Sequence, residues 1–286
     1  MTKADKYLIE DIHNILDNGY KDENPRPKYE DGTPAHTISV NHVLRKYDLS
    51  KGEFPLCTLR PQAWKTGIRE IFTIYQRPTN VLSEMKEMGV TWWDPWDIGD
   101  GTIGQRYGAT VKRYNLINNL IEDIKKDPYA RRKVVSLWQE ADLHETAGLA
   151  PCAFLTIWNV RGEYLDMVLV QRSGDMLTAS GAGGINEIQY AALLMMIARV
   201  CGLKEGVFTH FVATEQIYDR HMDKADEMLR RAAEAAEEKK EGQPEASPKL
   251  VLHKDSGCDF TDITLDDFEM MDYAPMKPQL KFELGI

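Results

Sequence analysis

The chain has 286 residues, of which 43% are hydrophobic and 28% charged, with a formal net charge of −10. That length and composition suit a globular protein with a sizeable core, and the acidic balance excludes nonspecific DNA binding, which needs a basic surface. The cysteines Cys57, Cys152, Cys201 and Cys258 are scattered without a C-x-x-C pair. This removes the usual zinc spacings and a disulfide framework, and predicts a reduced, cytoplasmic protein without a metal.

The first residues, Met1 to Asp5, lack the apolar core of a signal peptide. Leu8, Ile9, Ile12, Ile15 and Leu16 recur at helical spacing over 5–18, and Asn18-Gly19 supplies a stop. Residues 20–36 are polar and rich in Pro and Gly, hence a loop, with Arg26, Lys28 and the turn Asp31-Gly32 inside it. Thr37 to Tyr47 alternates like a strand. Pro61 to Tyr75 predicts a helix with Trp64, Ile68, Ile71 and Phe72 on one face and Glu70 off it.

A tryptophan-rich segment, Trp92-Trp93-Asp94-Pro95-Trp96, and a Gly-rich turn, Gly101 to Gly104, come before Tyr107-Gly108. Leu116 to Lys126 is an amphipathic helix ended by Asp127-Pro128. Strands follow at 133–138, 153–160 and 164–171, the last two joined by the turn Arg161-Gly162-Glu163. The apolar window 185–203 is broken by Asn186, Glu187, Gln189 and Arg199, so it predicts a buried core helix and no membrane span. A strand near 206–213 and a charged helix over 223–240 come next. Together with a linker-like run to 247, that helix makes the stretch 223–247 an inserted, solvated segment. A strand at 249–253 and the tail 268–286 finish the chain. The mix is α+β with its strands grouped centrally.

Chemistry concentrates around Cys152, in Ala150-Pro151-Cys152-Ala153. Arg131-Arg132 lies upstream and Gln171-Arg172-Ser173-Gly174-Asp175 downstream. A guanidinium binds phosphate through a planar fork, and positive charge lowers a thiol pKa, so the pattern points to a thiolate nucleophile beside a bound phosphate. Taken alone, the cysteine would be a packed thiol, the arginines a surface pair and Glu70 a solvated helix residue.

Further elements lie in order along the chain: Phe54-Pro55-Leu56, Trp93-Asp94-x-Trp96, Tyr107-Gly108, Ile217-Tyr218 with His221, and Asp266-Asp267-Phe268-Glu269. With these, the chain resembles the folate-dependent thymidylate synthase family. The segment Asp31-Gly32-Thr33-Pro34-Ala35-His36-Thr37 is closest to the branch found in Bacillus. The resemblance covers nearly all of residues 1–286 and implies a single domain: a central mixed β-sheet packed against helices, with one sheet face forming a homodimer interface. It also implies reductive methylation of dUMP to dTMP, with 5,10-methylenetetrahydrofolate as co-substrate and dihydrofolate as product.

Under that resemblance Cys152 adds to C6 of the pyrimidine, with Glu70, Tyr107 and Arg172 as the other catalytic residues. Arg26, Arg172 and Ser173 match phosphate ligands, and Arg131 and Arg132 match arginines that reach the partner's site. Asn186 matches the asparagine that reads the pyrimidine edge, Gln171 is a further substrate-binding residue of the matched motif, and Gln216 and Tyr218 match the sugar-side residues. Trp93, Trp96, Asp175 and the carboxylate of Ile286 match the folate side and its closing tail.

Three departures bear on the outcome. The family usually has histidine after the nucleophile, where this chain has Ala153, and histidine two residues before the sugar-side tyrosine, where it has Gln216. The segment 176–185 is longer than usual, and its glycines leave it free to move. Ala153 and this segment keep a pyrimidine-nucleotide 5-hydroxymethylase open as the alternative, with water finishing the reaction in place of hydride. Asn186 favours uracil over cytosine there. A cysteine hydrolase pairing Cys152 with His210 or His221, and a non-catalytic nucleotide- or folate-binding descendant, are the more remote readings.

Overall fold

A computed structural model describes residues 1–238 and 247–286. Helix α1 spans Lys3–Asn18. Thr2 caps it by accepting from Asp5 N at 3.0 Å while Asp5 accepts from Thr2 N at 2.8 Å, a reciprocal box that satisfies two otherwise free donors. Its buried stripe is Leu8, Ile12 and Ile15. Strands β1 (Tyr20–Lys21) and β2 (Thr37–Asp48) follow, the first inside the segment expected to be pure loop. Helix α2 covers Trp64–Ile71 and continues as a π-helical turn, Phe72–Gln76.

Short helices α3 (Leu82–Glu87) and α4 (Gly108–Arg113) precede α5 (Leu116–Lys126), whose bounds are those its periodicity predicts. Strand β3 (Lys133–Ser136) and helix α6 (Glu140–Glu145) lead into the hairpin of β4 (Ala153–Arg161) and β5 (Tyr164–Gln171). After β6 (Gly174–Asp175) come α7 (Ile185–Val200) and β7 (Lys204–Tyr218). Strand β7 runs well past the end expected from its apolar core. Helix α8 covers Met222–Glu237, so the predicted charged helix is present. The part of the expected insertion from 239 to 246 lies outside the described residues. Strands β8 (Lys249–Leu252) and β9 (Phe268–Met271) form a separate pair.

The main sheet is mixed, in the order β1-β2-β7-β5-β4-β3, with β6 also on β7. Only the β5–β7 and β6–β7 pairs are parallel. Helix α7 is apolar on nearly every side and buried from Glu187 to Ala198, as a helix packed between other layers must be. It packs against α2 and the inner sheet face, and its polar first turn faces the site.

Candidate active site

The β4–β5 hairpin brings cysteine and arginine together. Arg172 N donates to Cys152 O at 3.0 Å, one step beyond the Ala153–Gln171 pair, so the ladder sets the two residues opposite each other. A register shift between Ala153 and Leu155 marks the strand end beside the cysteine, a common place for a bulge to re-aim a side chain. Arg172 donates from Nε to Pro151 O at 3.0 Å and from Nη2 to Ala150 O at 2.8 Å, and its Nη2 stands 3.4 Å from Cys152 Sγ. Burial raises the Cys152 thiol pKa, while Arg172 and Arg26 pull it down. The arginines act in the expected direction, but burial outweighs them, so the expected lowering is not the net result.

Cys152 lies on the floor of a cleft of about 650 Å³ whose walls include Arg26, Gln171, Ser173, Asn186, Gln216 and Tyr218. Trp96, Asp175 and Ile286 also reach it. An adjoining cavity of about 300 Å³ shares Cys152 and Asn186 and adds Glu70, Trp93, Tyr107 and Gln189. The sequence-predicted residues therefore meet around one thiol, with two exceptions. Arg131 and Arg132 are exposed and outside both cavities, and Arg132 is 3.7 Å from Asp127.

Strand pairing explains the sugar-side residues. Asp175 of β6 pairs with Gln216 of β7, which places Ser173 near Gln216, their Oγ and Nε2 3.4 Å apart. Tyr218 packs edge-on against Tyr29 and His221, and burial pushes its phenol up to about 12. Asp175 accepts from Thr178 Oγ1 at 2.5 Å. Its other oxygen and His221 Nδ1 are both buried without a hydrogen-bond partner, 3.9 Å apart. Burial raises the Asp175 carboxyl, with His221 opposing.

On the other side, Glu70 is buried by α2 and α7. Trp93 Nε1 donates to it at 2.6 Å, and Gln189 Nε2 donates to its second oxygen. Burial pushes its pKa up to about 7, against the lowering effect of these donors. Tyr107 Oη accepts from Cys152 N at 3.3 Å, and its ring packs against Trp93 at 5.0 Å between centroids.

The segment 176–185 is packed and not loose. Met176–Ser180 forms a π-helical turn, and Arg60 donates to Leu177 O at 2.6 Å and Thr178 O at 3.2 Å. Gly183 has φ +66°, and a Cβ there would stand 2.2 Å from Cys57 N, so glycine is required by both conformation and space. Sequence reasoning missed Arg60 as the anchor of this segment and Gln189 as the second donor to Glu70. A basic residue after a buried apolar run and a glutamine one helical turn beyond Asn186 were the available signals.

The tail lines one side of the cleft, with Leu284, Gly285 and Ile286 on its wall. Lys28 N donates to Ile286 O at 2.8 Å and Ile286 N to Lys28 O at 3.0 Å, while Gly285 lies flat against Tyr218 and Ala35. Among the described residues no cluster of His, Cys, Asp and Glu could hold a metal ion, and no helix is long and apolar enough to cross a membrane.

Comparison with known proteins agrees with this site. The thymidylate synthase family model matches residues 6–286. The chain is 49% identical to thymidylate synthase of Lactococcus lactis subsp. cremoris (strain SK11) and 46% identical to that of Streptococcus suis (strain 05ZYH33), covering all of each chain. Its fold superposes on thermostable thymidylate synthase A from Bacillus subtilis with a TM-score of 0.85, at 32% identity over 99% of each chain. A thiol set among arginines, a full-length family match and a shared fold lead to one conclusion: the chain belongs to the thymidylate synthase family.

Proposed function

We propose that this enzyme converts dUMP to dTMP with 5,10-methylenetetrahydrofolate as one-carbon and hydride donor. The observation that carries the reading is the contact of Arg172 with the Cys152 thiol in a cleft also lined by Arg26, Ser173, Asn186 and Tyr218. A phosphate drawn to Arg26, Arg172 and Ser173 fixes the nucleotide, and Tyr218 and Gln216 are within reach of the sugar. Asn186 then faces the pyrimidine edge, with Gln171 hydrogen-bonded behind it.

Cys152 as thiolate adds to C6, and the electron pair moves to C5 and O4. C5 attacks the folate's methylene carbon; loss of the C5 proton then breaks the bond from that carbon to the folate nitrogen, releasing tetrahydrofolate and leaving an exocyclic methylene. The exocyclic methylene then takes a hydride from the reduced pterin, and the thiolate leaves C6, giving dTMP and dihydrofolate. Glu70, with a pKa near neutrality, suits proton movement through water at O4. Trp93, Trp96 and Asp175 form the folate side. The tail ending at Ile286 closes over both ligands and excludes water, which favours hydride over water as the quenching species and disfavours the hydroxymethylase reading.

Residues 1–286 act as one domain, in a soluble cytoplasmic homodimer. The outer sheet face supports the dimer: Leu44, Phe211, Val170 and Leu155 form an apolar row across four strands, with Leu44 60% exposed. Pairing of that face would let Arg131 and Arg132 reach the partner's phosphate site. The test is incubation with dUMP and methylenetetrahydrofolate, following dihydrofolate by its ultraviolet absorbance and the nucleotide by mass. Equal amounts of dTMP and dihydrofolate are expected; a hydroxymethyl nucleotide without dihydrofolate overturns the proposal.

A further inference from the structure

Beneath the cleft, a chain of polar side chains runs from Glu187 and His210 through Gln171 and ends on Asn186. His210 of β7 is fully buried, the cross-strand neighbour of Arg45 on β2 and of Leu169 on β5. Its Nδ1 is 3.0 Å from Glu187 Oε1, and its Nε2 is 3.0 Å from Gln171 Oε1. Gln171 Nε2 donates to Ser173 O at 3.0 Å and reaches Ser180 Oγ at 2.7 Å and Asn186 Oδ1 at 3.2 Å.

The polarity of this chain follows from its ends. A backbone carbonyl only accepts, so Ser173 turns the Gln171 NH2 group toward itself and leaves Oε1 facing His210. At the other end Glu187 receives Gly183 N at 2.7 Å, Tyr47 Oη at 2.7 Å and Arg45 Nη1 at 3.4 Å. A group surrounded by donors is a carboxylate. Each nitrogen of the His210 ring therefore faces an acceptor. A neutral imidazole has one N–H and satisfies one of them, whereas an imidazolium satisfies both.

Arg45 also pairs with Asp11 at 2.7 Å and with Glu215, so three carboxylates surround Arg45, and Glu187 is the one the His210 ring faces. A cationic ring offsets the Glu187 charge, as a buried ionised group requires. Burial draws the His210 pKa below its ordinary value and Arg45 adds to that, with Glu187 opposing; a cation is what satisfies the two acceptors that face its ring. Burial alone would raise Glu187, but His210 and Arg45 hold it below the usual carboxylate value. Burial pushes Glu215 up to about 7 against Arg45, and it raises Asp11 and Tyr47.

We propose that Glu187 holds His210 as a buried imidazolium, and that His210 is a positioning residue which fixes the Gln171 amide, and through it the Asn186 amide, in the orientation that selects uracil over cytosine. This rests on the reading of Asn186 as the pyrimidine-edge ligand. Uracil offers an acceptor at O4 and a donor at N3; cytosine reverses both. An asparagine amide fits one pattern or the other according to a half-turn about its last torsion. Asn186 is held against that turn because Oδ1 receives Gln171 while Nδ2 donates to Gln189 Oε1 at 3.1 Å. A neutral His210 with its proton on Nδ1 would set a lone pair against Gln171 Oε1. Gln171 would then turn, present oxygen to Asn186 Oδ1, and release the lock.

Two measurements test this. In wild-type enzyme labelled with 15N-histidine, one buried ring is expected to show two N–H nitrogens at neutral pH. Loss of its signals in His210→Gln assigns it, or through-bond correlation in the wild type if that variant does not fold. A pyridine-type nitrogen on His210 at neutral pH overturns the proposal. Second, dissociation constants for dUMP and dCMP are compared in wild type, Glu187→Gln, His210→Gln and Asn186→Ala. The preference for dUMP is expected to fall roughly tenfold or more in all three variants, because a site left with mispaired polar groups loses discrimination. If Asn186→Ala lowers it but neither relay variant does, the relay is refuted. If Asn186→Ala leaves it unchanged, the base-edge reading itself fails and takes the specificity role with it.

Discussion

Arg172 holds Cys152 from two directions: its guanidinium ties down Ala150 O at 2.8 Å and Pro151 O at 3.0 Å, and the same Nη2 lies 3.4 Å from Sγ. The arginine therefore both shapes the turn that carries the nucleophile and stabilises its thiolate against a burial that raises its pKa. Arg172→Leu removes a positive charge that pulls the thiol down, so the pKa moves further up. The check is the rate of iodoacetamide alkylation of Cys152 against pH, read by peptide mass. A profile that stays in place or moves to lower pH contradicts this reading.

Burial brings the Glu70 carboxyl close to neutrality. Its folded pKa of about 7 lies above its ordinary value of 4.5 because burial disfavours the charge. In the sign that follows, the folded state holds a proton that the unfolded state has released between those values. Stability from this carboxyl is present below about 4.5 and lost as pH rises toward 7. That difference is on the order of 3 kcal/mol. Glu70→Gln should flatten this part of the unfolding free energy against pH, lower kcat by about a hundredfold, and remove an inflection near neutrality from the rate profile. An inflection that survives in the variant assigns it to another group.

The tail is sensitive at Gly285. A Cβ there would stand 2.7 Å from Tyr218 Cε1 and 2.9 Å from Ala35 Cβ. Gly285→Ala is expected to displace the last residues and weaken the paired Lys28–Ile286 backbone bonds, raising the folate KM several-fold. Removal of Ile286 should go further, depressing kcat while dUMP binding measured by calorimetry changes little. Equal losses in dUMP and folate binding would argue against a closing role.

The position of Arg131 and Arg132, exposed and away from their own chain's cleft, invites a mixed-subunit experiment. Cys152→Ser and the double variant Arg131→Ala/Arg132→Ala should each be nearly inactive alone. After unfolding and refolding together, hybrids carry one site with both an intact thiol and intact partner arginines. Roughly a quarter of wild-type activity should return, as random pairing in a twofold dimer predicts. No recovery would mean that the arginines serve their own chain or only the fold.

Cys152, Arg172 and Gln171 were legible as a candidate site because thiol, guanidinium and amide chemistry sit in short local motifs such as Pro151-Cys152 and Gln171-Arg172-Ser173. Helix α5 and the β4–β5 hairpin were legible too, where periodicity and turn residues agree. What long-range burial does to these groups appears only once the chain is folded. Burial raises Cys152 despite its arginines and brings Glu70 to neutrality, since desolvation depends on packing by residues distant in sequence. The glycines of 176–185 suggested movement, yet Arg60 and the Gly183–Cys57 contact hold that segment in the packed core. Likewise Arg45, Glu187, His210 and Gln171 come from separate elements, two of them in one parallel strand pair. Their hydrogen-bond polarity exists only once the sheet and α7 close over them.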